Sequence, residues 1–137
     1  MIRVVIDTNV LVSSAISPDG NEGQLLRLVR YRQLKACATS RILDEYAEVL
    51  SRKKFGFARE RIAPLLDFLR AECTLIEAEQ STVQSPDPSD TKFIACALVS
   101  GASYLVTGNR RHFPASFYGA AKVLNAAELL RRLKPAQ

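Results

Sequence analysis

Asp7 closes an apolar, β-branched run, Val4-Val5-Ile6. A short run of that kind suits a strand covered on both faces, as in a parallel sheet. Ligands of open α/β sheets gather at the carboxyl ends of the strands, which is where Asp7 would stand. A carboxylate there costs stability unless it is hydrogen-bonded, paired or holding a cation. Two further acids fall on apolar helical faces. After Ser40 the apolar stripe centres between Ile42 and Tyr46, counting about 100° per residue. Asp44 and Glu48 fall opposite that stripe, whereas Glu45 borders it, one turn from both Ile42 and Val49. Asp90 heads the stripe formed by Phe93, Ile94, Ala97 and Leu98. The segment Asp87-Pro88-Ser89-Asp90 also reads as a helix start, with Asp87 as N-cap, Pro88 first in the helix and Asp90 favoured by the dipole. Capping and ligation are compatible. Thr107-Gly108-Asn109 follows another strand with polar oxygens, the alternative there being an ordinary strand-to-loop turn.

Brought together, Asp7, Glu45, Asp90 and Asn109 would supply three carboxylates and one amide oxygen. Clustered carboxylates repel, and a hard divalent cation relieves the repulsion. An all-oxygen set favours Mg²⁺ or Mn²⁺ over zinc. Such an ion activates water and stabilises charge on a phosphate. The chain carries 19 Lys and Arg against 14 acids, a net charge of +5, which favours a polyanionic partner such as a phosphodiester backbone. A phosphoryl-transfer reading with Asp7 as nucleophile fits less well, because Asp7-Thr8-Asn9 lacks the second acid that aspartate-based phosphatases place there.

The elements that must position these residues alternate. Strands are expected at 2–6, 34–38, 73–76, 104–107 and 121–124. Helices are expected around Leu25–Val29, from Thr39 or Ser40 to Leu50, at 59–71, at 88–100 with Gly101 as left-handed cap, and at 126–133. Segments 17–21 and 80–89 read as loops. Strand–helix alternation implies an α/β fold with a parallel sheet and helices on both faces. The 137 residues make one domain's worth, 1–137, and 47% hydrophobic content is that of a soluble globular protein. No apolar stretch approaches the roughly 18–20 residues that span a bilayer, and the start does not read as a signal peptide, so a cytoplasmic location and no membrane partner are expected. Cys37, Cys73 and Cys96 are odd in number and far apart, consistent with buried free thiols.

Four segments, in order, carry a resemblance: Val4-Val-Ile-Asp-Thr-Asn-Val-Leu11; Thr39 to Leu50 with Lys54-Phe55; Asp87-Pro-Ser-Asp-Thr-Lys-Phe-Ile-Ala95; and Gly101 to Asn109 running into His112-Phe-Pro114. They resemble the PIN-domain nuclease family and, more narrowly, the VapC-like toxins of bacterial toxin–antitoxin pairs. The resemblance implies a three-layer α/β/α sandwich with a mostly parallel central sheet and Mg²⁺- or Mn²⁺-dependent endoribonuclease activity, in which a metal-activated water hydrolyses RNA. It also implies frequent homodimers and a small antitoxin partner. On that resemblance Asp7, Glu45 and Asp90 are catalytic metal ligands, Thr8 or Asn9 supports them, and Thr107 contributes a hydroxyl. Asn109 and His112 stand where the family often has a fourth aspartate, and Asp87 could supply compensating charge. Arg110, Arg111 and His112, with Arg52, Lys53 and Lys54, are expected to meet RNA phosphate, or else form solvated surface runs. His112 could instead act as a general acid. The alternative function is a PIN-like module that binds RNA or a partner with little cleavage.

Overall fold

A strand of three consecutive β-branched residues must be covered on both faces, and β1 (Arg3–Ile6) is: Val4, Val5 and Ile6 are fully buried. The computed structural model describes residues 1–78, 81 and 83–134. After β1 come α1 (Thr8–Ile16), α2 (Asn21–Arg30), β2 (Lys35–Ala38), α3 (Ser40–Leu50), α4 (Arg59–Glu72) and β3 (Thr74–Leu75). They are followed by α5 (Thr91–Ser100), β4 (Tyr104–Val106), β5 (Phe117–Tyr118), β6 (Ala121–Leu124) and α6 (Ala126–Leu133), with 3-10 turns at Lys53–Phe55 and Pro88–Asp90. Of the expected loop 80–89 and the expected domain span 1–137, residues 79, 80, 82 and 135–137 lie outside the described residues.

The six strands form one sheet in the order β3-β2-β1-β4-β6-β5. All neighbours are parallel except β5 against β6. The fold is therefore the expected α/β/α sandwich with a mostly parallel sheet. The chain steps outward from β1 through β2 to β3, then returns to place β4 on β1's other side, with Val4 beside Tyr104 and Ile6 beside Val106. This reversal makes the carboxyl ends of β1 and β4 the switch point of the sheet, where α/β folds open a crevice. Helix α5 packs against β1, β2 and β4, while α1 packs on α2, which meets α6.

Local chemistry fixes the element ends nearest that crevice. The Thr39 hydroxyl accepts from the Ile42 amide at 3.2 Å and starts α3. Asn125 and Glu128 form a reciprocal capping box on α6. Gly101 ends α5 at φ 67°, a left-handed turn open to glycine.

Three features differ from the sequence reading. Helix α1 starts directly after Asp7, where Thr and Val, weak helix formers, hide the helical spacing of Val10, Leu11 and Ala15. The two-residue β5 is too short to carry a pattern. The expected helix 88–100 is divided: Asp87 Oδ1 accepts from the Ser89 amide at 3.0 Å, a tight 3-10 turn follows, and regular α-helix begins at Thr91. All three cysteines are free; Cys37 and Cys96 are buried and Cys73 is half-buried. Among the described residues no helix is long and apolar enough to cross a membrane.

Candidate metal centre

Asp7 is the hinge between β1 and α1. Its amide donates to the Val106 carbonyl at 2.9 Å, extending the β1–β4 ladder by one bond, and its own carbonyl accepts from the Val10 amide at 3.0 Å. This pins the side chain into the crevice, where Asp7 is only 3% exposed. Thr107 Oγ1, at the end of β4, donates to Asp7 Oδ2 at 2.8 Å and accepts from the Asn109 amide at 3.0 Å. One hydroxyl thus orients the acid and shapes the turn that follows. Asn109 is half-buried and joins this network through its backbone.

Among the described residues no cation pairs with Asp7. Burial pushes its pKa up from 3.8 to about 6; the Thr107 bond opposes this, and the charges of Asp90 and Glu45 add to it. Those two charges identify the acids that face Asp7 across the crevice.

Glu45 stands on α3, four-fifths buried, with its side chain 21% exposed. Thr8, the first residue of α1, donates its hydroxyl to Glu45 Oε2, and Lys92 Nζ lies 2.5 Å from Glu45 Oε1. Asp44 and Glu48 on the same helix are exposed, as its phase requires. Asn9, beside Thr8, is also exposed. Tyr46, the next residue on α3, is buried and donates its hydroxyl to the Ile6 carbonyl at 2.5 Å, tying the helix that carries Glu45 to the strand that carries Asp7. Burial, foremost, holds the Tyr46 phenol well above its ordinary pKa, so it remains a donor.

Asp90 is buried at the start of α5, and its Oδ2 lies 2.6 Å from His112 Nδ1. Burial raises the Asp90 pKa; His112 opposes this, and Asp87 and Glu45 reinforce it. Asp87 is 3.9 Å from the same imidazole nitrogen, and its own pKa is lowered by hydrogen bonds from Ser89. Asp87, Asp90 and His112 offer ligand atoms all within 4.8 Å of one another. Asp7 and Glu45 stand outside that grouping and act on Asp90's side of the crevice through their charge. Buried Ser85 holds the two loops together, donating to the His112 carbonyl at 2.6 Å and accepting from the Asp87 amide at 3.1 Å.

The basic residues are distributed differently. Arg110 donates to the Val123 carbonyl at 2.7 Å, so part of its function is to anchor the loop. Arg111 is exposed. Arg52 forks onto Glu48 at 3.0 and 2.8 Å, and with Lys53 and Lys54 it lies at the far end of α3, about two turns beyond Glu45. Beside Glu45 a cleft of about 570 Å³ opens, lined by Arg41, Ser81, Gln84, Ser89 and Lys92 among others.

Sequence reasoning gave no role to Lys92, Tyr46 or Ser85. Tyr46 had a signal, since it sits on the buried stripe next to Glu45 and a buried phenol needs a partner. Lys92 is half-buried two residues after Asp90, and only the packing of α3 against α5 reveals its contact.

The PIN domain family profile matches residues 3–111. An uncharacterized protein of Methanocaldococcus jannaschii is 32% identical over 112 residues, spanning 80% of this chain and 72% of that protein. Among solved structures, a chain of VapBC2 from Rickettsia felis, crystallised with a DNA fragment from its promoter, shares the fold. It aligns with a TM-score of 0.57 at 19% identity, over 90% of this chain and 98% of its own. With the acid-lined crevice at the β1–β4 switch point lying inside the matched span, the chain belongs to the PIN domain family.

Proposed function

We propose that this protein is a divalent-metal-dependent endoribonuclease, the toxin of a toxin–antitoxin pair, acting on RNA phosphodiesters in the cytoplasm. The observation that carries the reading is Asp7, buried at the switch point with its pKa raised to about 6, first by that burial and then by the charges of Asp90 and Glu45, with no cation paired to it among the described residues. A carboxylate in that position fits a hard cation better than it fits an empty crevice. Asp7, Glu45 and Asp90 would hold Mg²⁺ or Mn²⁺, with Asp87 as a further donor beside Asp90. When bound, the ion lowers the pKa of a coordinated water and offsets charge building on the phosphate.

The chain's own residues do the rest. Thr107 holds Asp7 Oδ2 and so orients the carboxylate. Thr8 aligns Glu45, and Tyr46 fixes the spacing of α3 from β1. His112 turns Asp90 into the crevice through Nδ1, which leaves Nε2 as a proton carrier toward a leaving oxygen. Asn109 closes the turn on which Thr107 depends.

Wild-type protein with Mn²⁺ should cleave RNA, and EDTA or Asp7→Asn should reduce the rate at least about 100-fold. If wild type and Asp7→Asn are equally inert while wild type still binds RNA, a non-catalytic RNA-binding module is the correct reading instead. The proposed antitoxin partner is tested by co-purification with the product of the adjacent gene. The proposed homodimer is tested by light scattering.

A further inference from the structure

The contact between Lys92 and Glu45 joins a lysine 19% exposed to a glutamate 21% exposed, at 2.5 Å. Both Glu45 oxygens are engaged, one by Lys92 and one by Thr8. Asp7 and Asp90 differ: each has one oxygen held by a neighbour, Thr107 and His112 respectively, and neither is held by lysine or arginine. Glu45 is therefore the acid of the crevice whose charge is already balanced by the chain. A divalent ion bound to Glu45 would stand within a few ångströms of the Lys92 ammonium, and two cations that close repel strongly in a half-buried setting. The lysine has somewhere to go. While paired with Glu45 its ammonium also donates to the Ser89 carbonyl and lies 5.4 Å from the centre of the Phe93 ring, and Lys92 and Glu45 line one cleft with Arg41, Ser81 and Gln84, which leaves space beside the pair. A four-carbon stem can swing from one wall to the other without any backbone movement.

Building on the metal-dependent reading above, we propose that Lys92 is a displaceable counter-cation. It neutralises Glu45 in the metal-free protein, yields that carboxylate to the divalent ion, and then meets an RNA phosphate from the cleft wall. The metal and the substrate phosphate are thereby coupled through one side chain: RNA that draws Lys92 into the cleft frees Glu45 for the ion.

The test uses Mn²⁺ titrated calorimetrically into wild type, Lys92→Gln and Lys92→Arg without RNA. The glutamine variant should bind Mn²⁺ roughly tenfold more tightly than wild type, and the arginine variant about as wild type does. A second measurement follows the anisotropy of a labelled 2′-O-methyl RNA, which resists cleavage. Lys92→Gln should weaken its binding roughly three- to tenfold with Mn²⁺ present and clearly less with EDTA, because without the ion RNA must first draw Lys92 away from Glu45. A merely structural role for Lys92 would not produce that metal-dependent split. Equal or weaker Mn²⁺ affinity in the glutamine variant, with wild type still binding the ion, overturns the proposal and leaves the nuclease reading standing. Failure of all three proteins to bind Mn²⁺ overturns both. An RNA affinity lost equally with and without Mn²⁺ overturns the displacement step.

Discussion

At the scale of the residue, Asp7 shows how a buried acid weakens its own fold. Its pKa in the folded protein is about 6, against 3.8 when freely solvated. The folded state therefore holds the proton more tightly, and the contribution of Asp7 to stability is largest below pH 3.8 and declines as pH rises to about 6. The full change is about 3 kcal/mol, of which about 1.4 kcal/mol falls between pH 5 and pH 8. Urea denaturation of the metal-free protein at those two values should show that difference in wild type relative to Asp7→Asn, which removes the titration while keeping an oxygen for Thr107. Saturating Mn²⁺ should reverse the loss at the higher pH in wild type alone. Thr107→Val tests the orienting hydroxyl. It leaves a buried carboxylate oxygen and the Asn109 amide without their partner, so the protein should lose about 1–3 kcal/mol and bind Mn²⁺ more weakly, read by chemical denaturation and calorimetry.

At the scale of the element, the crevice depends on how α3 is seated against β1. Tyr46→Phe keeps the ring and deletes the bond to the Ile6 carbonyl, so it should cost about 1–3 kcal/mol in thermal or urea unfolding. Because Glu45 is the preceding residue, the same variant should also lower Mn²⁺ affinity. Gly101→Ala isolates an element end remote from this chemistry. A methyl group there meets nothing within 4 Å, so the cost, about 1 kcal/mol, arises from the positive φ alone and should leave Mn²⁺ binding unchanged. Elements like these were readable to different degrees in the sequence. The phase of Ile42, Tyr46 and Val49 was enough to separate inward-facing Glu45 from exposed Asp44 and Glu48, because helical periodicity is a property of the segment alone. Helix α1 was hidden because its residues are poor helix formers held by packing on α2, and β5 because two residues carry no period. His112 and Lys92 were least legible. Their contacts cross from one loop or helix to another, 22 residues apart for His112 and Asp90, and no local pattern encodes such a pairing.

At the scale of the whole molecule, the net charge of +5 surrounds an acid-lined crevice. On the proposed function the two signs would divide the work, the surface drawing a polyanion in and the acids holding the ion that meets it. With about three to five RNA phosphates neutralised by the protein, log affinity should fall against log salt with a slope of about −2 to −3.5, measured with the Asp7→Asn protein so that the proposed cleavage does not interfere. The Thr107–Asp7 hydrogen bond, which closes a span of 100 residues, bears on how this molecule comes into being. In synthesis β1 precedes β4, its neighbour on one side in the sheet, by the whole stretch from Asp7 to Ser103. Until then one edge of the central strand stays open and Asp7 lacks the hydroxyl that orients it. Over that stretch the open edge offers unpaired backbone to other chains. Messages truncated before Tyr104 should yield insoluble fragments that bind no Mn²⁺, because the crevice is complete only when β4 has joined β1.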